Sequence, residues 1–330
     1  MRLGRTDRAT QMRVMIAFAF AVLFASGGRA CSQEWPQRPV RIIVPYAAGG
    51  LSDEIGHLLT QPLAEAFGQP FVIENRSGAS GAIAAEAVAR SPADGYTLFL
   101  ASLPQIAIMP TVMKTSFDPK DVVPISAIVG SPLVLVVHAG VPARSLAEFV
   151  AYARAQHGQL TYAAGGVGTI SHLTMRLFLQ RAGIEMTPVM YKGGAPAVTD
   201  VIAGHVKAHF AVPINVMPYA TGDMLRFLAV TSAQRMRQIP TVPTMIESGY
   251  PGFKMLNWTG LMAPAGTPRG IVERLAREVS RIARDPKIAA TFAASGVDPL
   301  GSSPEEFAAT IAADIPLWAD AVRIAGIRQD

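Results

Sequence analysis

From residue 39 onward the chain alternates short apolar runs, rich in β-branched residues, with longer stretches whose apolar positions recur every three to four residues. The first pattern predicts strands and the second amphipathic helices. PVRIIVPYA (39–47), FVIEN (71–75) and YTLFLAS (96–102) predict three strands. Between them fall a helix over 52–67, with Ile55, Leu58, Leu59, Leu63 and Phe67 on one face, and an alanine-rich helix after RSGASG. Ser52 and Asp53 offer the first helix an N-cap. VVPISAIVGSPLVLVVHA (122–139) predicts more extended chain leading across a hinge. LTYAAGG (160–166), TPVMYKGG (187–194), HVKAHFAV (205–212) and LRFLAVTS (225–232) predict a second set of strands, again separated by helices. Capping boxes, Ser145-x-x-Glu148 and Ser303-x-x-Glu306, mark two helix starts. The last helix, over 302–322, carries a stripe of Phe307, Ile311, Ile315, Trp318 and Val322.

Strand–helix alternation of this kind implies an α/β protein with mostly parallel sheets flanked by helices. Two blocks are visible, roughly 39–103 and 160–230, so two lobes are expected. In open α/β sheets ligands bind beyond the carboxyl ends of the strands. Two such edges facing each other form a cleft that closes by hinge motion.

The beginning of the chain follows another logic. Arg2, Arg5, Arg8 and Arg13 precede the uncharged run Val14–Ala25, and small residues lead to a cleavage site after Ala30. This is the order of a secretory signal peptide, and the run of 12 falls short of the roughly 20 residues a spanning helix needs. Residues 1–30 are therefore expected to be removed. Cys31, the single cysteine, follows the cut; Gly28 and Arg29 are not the residues a lipoprotein signal carries there, so lipidation is not expected. The formal charge of +5 is largely a property of this leader, since the remainder holds 24 basic and 23 acidic side chains. Such a balance offers no electrostatic footprint for nucleic acid.

Three glycine-rich turns stand at strand carboxyl ends and open into helices: PYAAGGLSDE (45–54), ENRSGASGA (74–82) and YAAGGVGTISH (162–172). Glycine admits close approach, and backbone N–H groups at a helix start attract anions. A carboxylate fits such a place as well as a phosphate. No GxGxxG or GxxxxGK[ST] motif supports a nucleotide, and no cofactor is expected. His205 and His209 have the spacing of helical metal ligands, but they fall in a predicted strand with no third ligand nearby, so no metal is expected. GxSxG is absent, and no nucleophile–base constellation suggests an enzyme. His172, after the third turn, is placed either to touch a ligand or to cap a helix.

Together WPQRPVRIIVPYAAGGLSD, VIENRSGASG, PADGYTLFLAS, LTYAAGGVGTISHL, MYKGGAPAVTD, LAVTSAQRMRQIPTVPTMIESGYPG and WTGLMAPAGTP resemble the Bug-type periplasmic receptors of tripartite tricarboxylate transporters, over nearly all of 35–328. The resemblance implies a two-lobed Venus-flytrap (type II periplasmic-binding-protein) fold, with lobe 1 from 36–130 and 254–330 and lobe 2 from 131–253. It implies that a small carboxylate is gripped by backbone groups and ordered waters, and carries binding roles onto Tyr46, Ala47, Ala48, Gly49, Gly50, Ser52 and Asp53 in the first turn. Asn75, Gly78, Ala79, Gly81 and Ser102 complete the first lobe's set. Gly165, Gly166, Gly168, Thr169, His172, Tyr191, Lys192, Gly193 and Asp200 come from the second. Two departures stand out: His57 replaces a common arginine, and a familiar G-x-V-D run reads Gly204-His205-Val206-Lys207. The expected partners are a carboxylate ligand and membrane transporter subunits, or alternatively a two-component sensor kinase. The chain is expected to act as a periplasmic monomer.

Overall fold

The predicted strands of the first block assemble around β1 (Val40–Val44), which is flanked by β2 (Phe71–Asn75) and β3 (Thr97–Ser102), both parallel to it. Helices α1 (Leu51–Phe67) and α2 (Ala82–Ala89) make the two crossovers. In β1 only Arg41 is exposed, and β3 is buried throughout, because helices cover both faces; this is why these strands read as continuous apolar runs. The sheet continues through β4 (Val122–Pro132), β10 (Leu256–Pro264) and β11 (Asp298–Pro299), in the order β11-β4-β10-β3-β1-β2. The computed structural model describes residues 35–294 and 296–327, and both sheets belong to the unit Arg38–Asp330. The expected leader and Cys31 lie outside the described residues.

A single residue, Leu133, separates β4 from β5 (Val134–His138), the first strand of the second sheet. That sheet adds β6 (Thr161–Ala164), β7 (Thr187–Met190), β8 (Ala208–Ala211) and β9 (Leu225–Val230), in the order β7-β6-β8-β5-β9. Its helices are α3 (Leu146–Ala155), α4 (Ile170–Ala182) and α5 (Gly194–Ile202). After β9 the chain returns to the first sheet through Met255. Thr231, fully buried, joins the two crossings: its hydroxyl accepts from the Leu133 N–H at 2.8 Å and donates to the Met255 carbonyl at 2.7 Å. Helices α6 (Arg269–Ala283), α7 (Pro286–Ala294) and α8 (Pro304–Ile324) finish the fold. The start of α8 packs under the first sheet, where Phe307 meets Trp258 edge-on at 4.9 Å. Its end reaches the second lobe, where Arg176 of α4 donates to the Ile324 carbonyl at 2.8 Å. Among the described residues no helix is long and apolar enough to cross a membrane.

Several expectations need correction. Both sheets are mixed rather than mostly parallel: the parallel pairings join β1, β2 and β3 in one and β6, β7 and β8 in the other, while β10 and β5 run antiparallel to their neighbours. Strand β10 was not apparent as a strand, because Asn257, Thr259 and Gly260 break its apolar run. Gly260 lets α8 approach; a Cβ there would lie 2.4 Å from the Phe307 ring. Helix α1 is capped by Gly50 rather than by Ser52 or Asp53. Ser145 caps α3, but Glu148 bonds the Arg144 N–H, so that box is incomplete; the Ser303–Glu306 box is complete. Ile315 is 37% exposed and leaves the α8 stripe.

His209 is buried at the centre of the second sheet, and its Nδ1 lies 2.8 Å from the Ala163 carbonyl. Burial pushes its pKa down to about 4, so the neutral ring is the folded form. Protonation is then easier in the unfolded chain, and stability is complete above the ordinary value of 6.5 and declines as pH falls from there towards 4. Between pH 7.5 and pH 4.5 the wild type should lose about 2–3 kcal/mol from this source. His209→Gln, compared by urea denaturation at the two pH values, should lose less by that amount; equal losses would place the acid sensitivity elsewhere.

Candidate functional site

All three glycine-rich turns follow the carboxyl ends of parallel strands: β1, β2 and β6. The helices that open from these places lack a side-chain hydrogen bond at the N-cap. Gly50 caps α1, Gly81 caps α2, Thr169 caps α4, and Gly193, after β7, caps α5. The first-turn N–H groups of a helix have no acceptor four residues back, and they carry the positive end of the helix dipole. By contrast α3 and α8 are capped by Ser145 and Ser303; α6, starting after Pro268, is also uncapped.

In the first lobe the turns are fixed from behind. The buried carboxylate of Asp53 accepts from the Gly49 N–H at 2.9 Å and from the Asn75 amide at 2.8 Å. Those bonds hold its pKa below the ordinary carboxylate value, and the contact with His57 at 3.7 Å acts in the same direction. Asn75 also donates to the Tyr46 carbonyl at 3.2 Å, joining the first turn to the second. Tyr46, Ala47, Ala48, Gly49 and Gly50 are exposed, with Ser52 half-buried beside them. The second turn holds a run of left-handed residues: Gly78 (φ 130°), Ala79 (φ 44°), Ser80 (φ 54°) and Gly81 (φ 96°). Two consecutive non-glycine residues in this region carry backbone strain, which persists only where surroundings enforce it.

The enforcing group is Gln105, which sequence reasoning missed. It is fully buried within a single π-helical turn, Pro104–Ile108. Its amide donates to the Tyr46 hydroxyl at 2.8 Å and to the Ser80 carbonyl at 3.1 Å, and accepts from the Ser102 N–H at 3.0 Å. Ser102 is itself buried, 3.4 Å from the Thr259 hydroxyl. A lone glutamine in the apolar run SLPQIAIMP is the one signal that points to Gln105 in advance.

The second lobe repeats the arrangement with other residues. Ser171 accepts from the Gly165 N–H at 3.0 Å, His172 from the Gly168 N–H at 3.3 Å, and Thr169 donates to the Gly166 carbonyl at 2.8 Å. His172 is therefore buried behind the turn, not displayed on it. Burial, with Arg176 nearby, lowers its pKa and keeps the ring neutral so that Nδ1 can accept. The turn after β7 lies alongside, with the Gly193 N–H bonded to the Gly165 carbonyl at 3.1 Å. Tyr191 donates to Asp200 at 2.7 Å, and Asp200 also meets His205 at 3.4 Å, so Asp200 supports Tyr191 from its outer side. Lys192 is exposed. His205 and His209 have separate partners, Asp200 and Ala163. The two lobes meet at a cavity of about 550 Å³, to which Ser80 contributes from the first lobe and Val167, Gly168 and Thr169 from the second.

Comparison with known proteins finds relatives over most of the chain. The profile of the family described as TctC, tripartite tricarboxylate transporter family receptor, matches residues 55–326. Protein BugT of Bordetella pertussis is 35% identical over 315 residues, covering 93% of this chain and 96% of its own. An R. palustris structure determined with adipate is 35% identical, with a TM-score of 0.72 over 90% of this chain and all of its own. A ligand-free TctC solute-binding protein from Polaromonas is 27% identical, with a TM-score of 0.81 over 88% of this chain and 99% of its own.

Asp53 offers a test of how the first turn is held. Asp53→Ala should speed amide hydrogen exchange at Gly49 and cost about 1–3 kcal/mol at pH 7, the range for losing hydrogen bonds to a charged group. Because the folded-state pKa is depressed, this contribution is complete above the unfolded carboxylate value and is lost as pH falls through the lowered one. The stability difference between the two proteins should therefore narrow in strong acid. Unchanged exchange at Gly49 would mean that the turn keeps its shape without the carboxylate.

Proposed function

The chain belongs to the tripartite tricarboxylate transporter receptor family, and from that premise we propose that it captures a small carboxylate between its two lobes and delivers it to membrane transporter subunits. The observation that carries this reading is the meeting, at one cavity, of Ser80 from the second glycine turn and of Val167–Ile170, the third turn with the uncapped start of α4, from two separate sheets. Backbone amides arranged in this way favour an anion without needing an arginine. The adipate held by a relative supports a carboxylate as that anion.

In this reading Tyr46–Gly50 and Ser52, with Gly78–Gly81, form the first face, while Gly165–Thr169 and Tyr191–Gly193 form the second. Asp53, Asn75, Ser102, His172 and Asp200 act from behind, keeping those faces in shape. Lobe 1 consists of 36–130 and 254–330, lobe 2 of 131–253, and closure bends the crossings that Thr231 joins. The protein works in the periplasm once residues 1–30 are removed, and it releases its ligand unchanged.

Gly50 gives the direct test. Its backbone is extended (φ −92°), and an added Cβ would meet nothing nearer than the Ala47 carbonyl at 3.8 Å. Gly50→Val should therefore cost less than about 1 kcal/mol in stability, the scale of a changed N-cap. It should nevertheless weaken binding at least about tenfold, or 1.4 kcal/mol, by filling the approach to the first turn. Calorimetry with a panel of mono-, di- and tricarboxylates measures both. Failure of every acid to bind folded protein defeats the reading; unchanged affinity in Gly50→Val removes the carboxylate from this turn.

A further inference from the structure

Beyond the glycine turns the interlobe cavity changes character. Ser80, Gly168 and Thr169 supply its polar part, and they belong to the turns already described. The remainder is hydrocarbon: Ile108 and Met109, both nearly fully buried, Val112, Met113, Val167 and Ile327. None of the described residues lining it carries a charge. Its volume, about 550 Å³, falls in the range of small-molecule sites. Val167 is 67% exposed although it stands on a turn fixed at Gly165, Gly168 and Thr169. A ligand lying in the cavity would cover it.

We propose that the solute is a monocarboxylate with an apolar body, the carboxylate at the glycine turns and the hydrocarbon in this cavity. The inference rests on the carboxylate reading above and adds the nature of the far end. A second carboxylate carried into this space would lose its water against apolar side chains, and a buried charge left unpaired is costly. An alkyl chain or ring has the opposite balance, since burying each methylene is favourable. The methionine pair suits a body of variable outline, because an unbranched thioether side chain adapts to what it packs against.

Calorimetry along acetate, butanoate, hexanoate and octanoate tests the cavity. Affinity should rise by up to about fourfold for each added methylene until the cavity is full, the factor equivalent to about 0.8 kcal/mol per CH₂. Heptanoate should bind at least about tenfold more tightly than pimelate, the diacid of equal carbon number, a difference of 1.4 kcal/mol. Val167→Lys, at an exposed position where folding is not at stake, should shift that ratio towards pimelate by a similar factor. A flat series accompanied by tight succinate, citrate or pimelate binding overturns this inference and leaves the carboxylate reading standing. If no acid of either series binds, both fall. A heptanoate-to-pimelate ratio untouched by Val167→Lys places the ligand's body outside the cavity and also overturns the inference.

Discussion

A glycine-rich turn holds one shape only when groups outside it fix its amides and carbonyls, and the candidate site depends on that constraint. Glycine supplies backbone freedom, but freedom alone gives an ensemble of turns. Here Gln105 joins three segments of the first lobe through Tyr46, Ser80 and Ser102, and Asp53 and Asn75 lock the first turn to the second. Because Gln105 is fully buried, its hydrogen bonds cannot be exchanged for water, and their loss would leave an unsatisfied amide in the core. The left-handed Ala79 and Ser80 are held in that way.

The second lobe meets the same requirement with short side chains from the helix that the turn opens. Ser171 and His172 reach back from the first turn of α4 to Gly165 and Gly168. Each lobe thus carries a face prepared independently of the other. What relates the two faces is the path of the chain. Leu133 and Met255, the two crossings, are joined through Thr231, while α8 spans from Trp258 in one lobe to α4 in the other. The lobes also share one buried apolar cluster, which runs from Ile43 and Phe99 of the first sheet to Leu135, Tyr162 and Phe210 of the second.

Much of this was legible in the sequence where the cause is local. Strands β1, β2, β3, β6 and β9 are apolar runs bounded by glycine, proline or polar residues, and the three turns announce themselves by glycine content. Where the cause is distant, the pattern fails. Gly260 weakens the apolar signal of β10 because Phe307, 47 positions away, needs its space. Gln105 shows in the sequence only as a lone polar residue in an apolar run, because its partners Tyr46 and Ser80 are distant along the chain. Asp53 reads as a capping residue, yet its bonds go to Gly49 and Asn75, and the latter becomes a neighbour only once β1 and β2 pair.

In the proposed reading the same distinction separates the grip on an anion from the choice of anion. The grip is written in backbone and in glycine, so it is insensitive to most substitutions that leave the turns intact. In that reading the choice falls to side chains from the π-helical turn, from the helical turn that continues it and from the end of the chain, Ile108, Met109, Val112, Met113 and Ile327. Gln105 lies in that same turn, so one short segment both fixes the first lobe's anion face and presents the wall beside it. In the proposed reading, changes at its outward positions retune the ligand's body while the buried amide keeps the carboxylate's place.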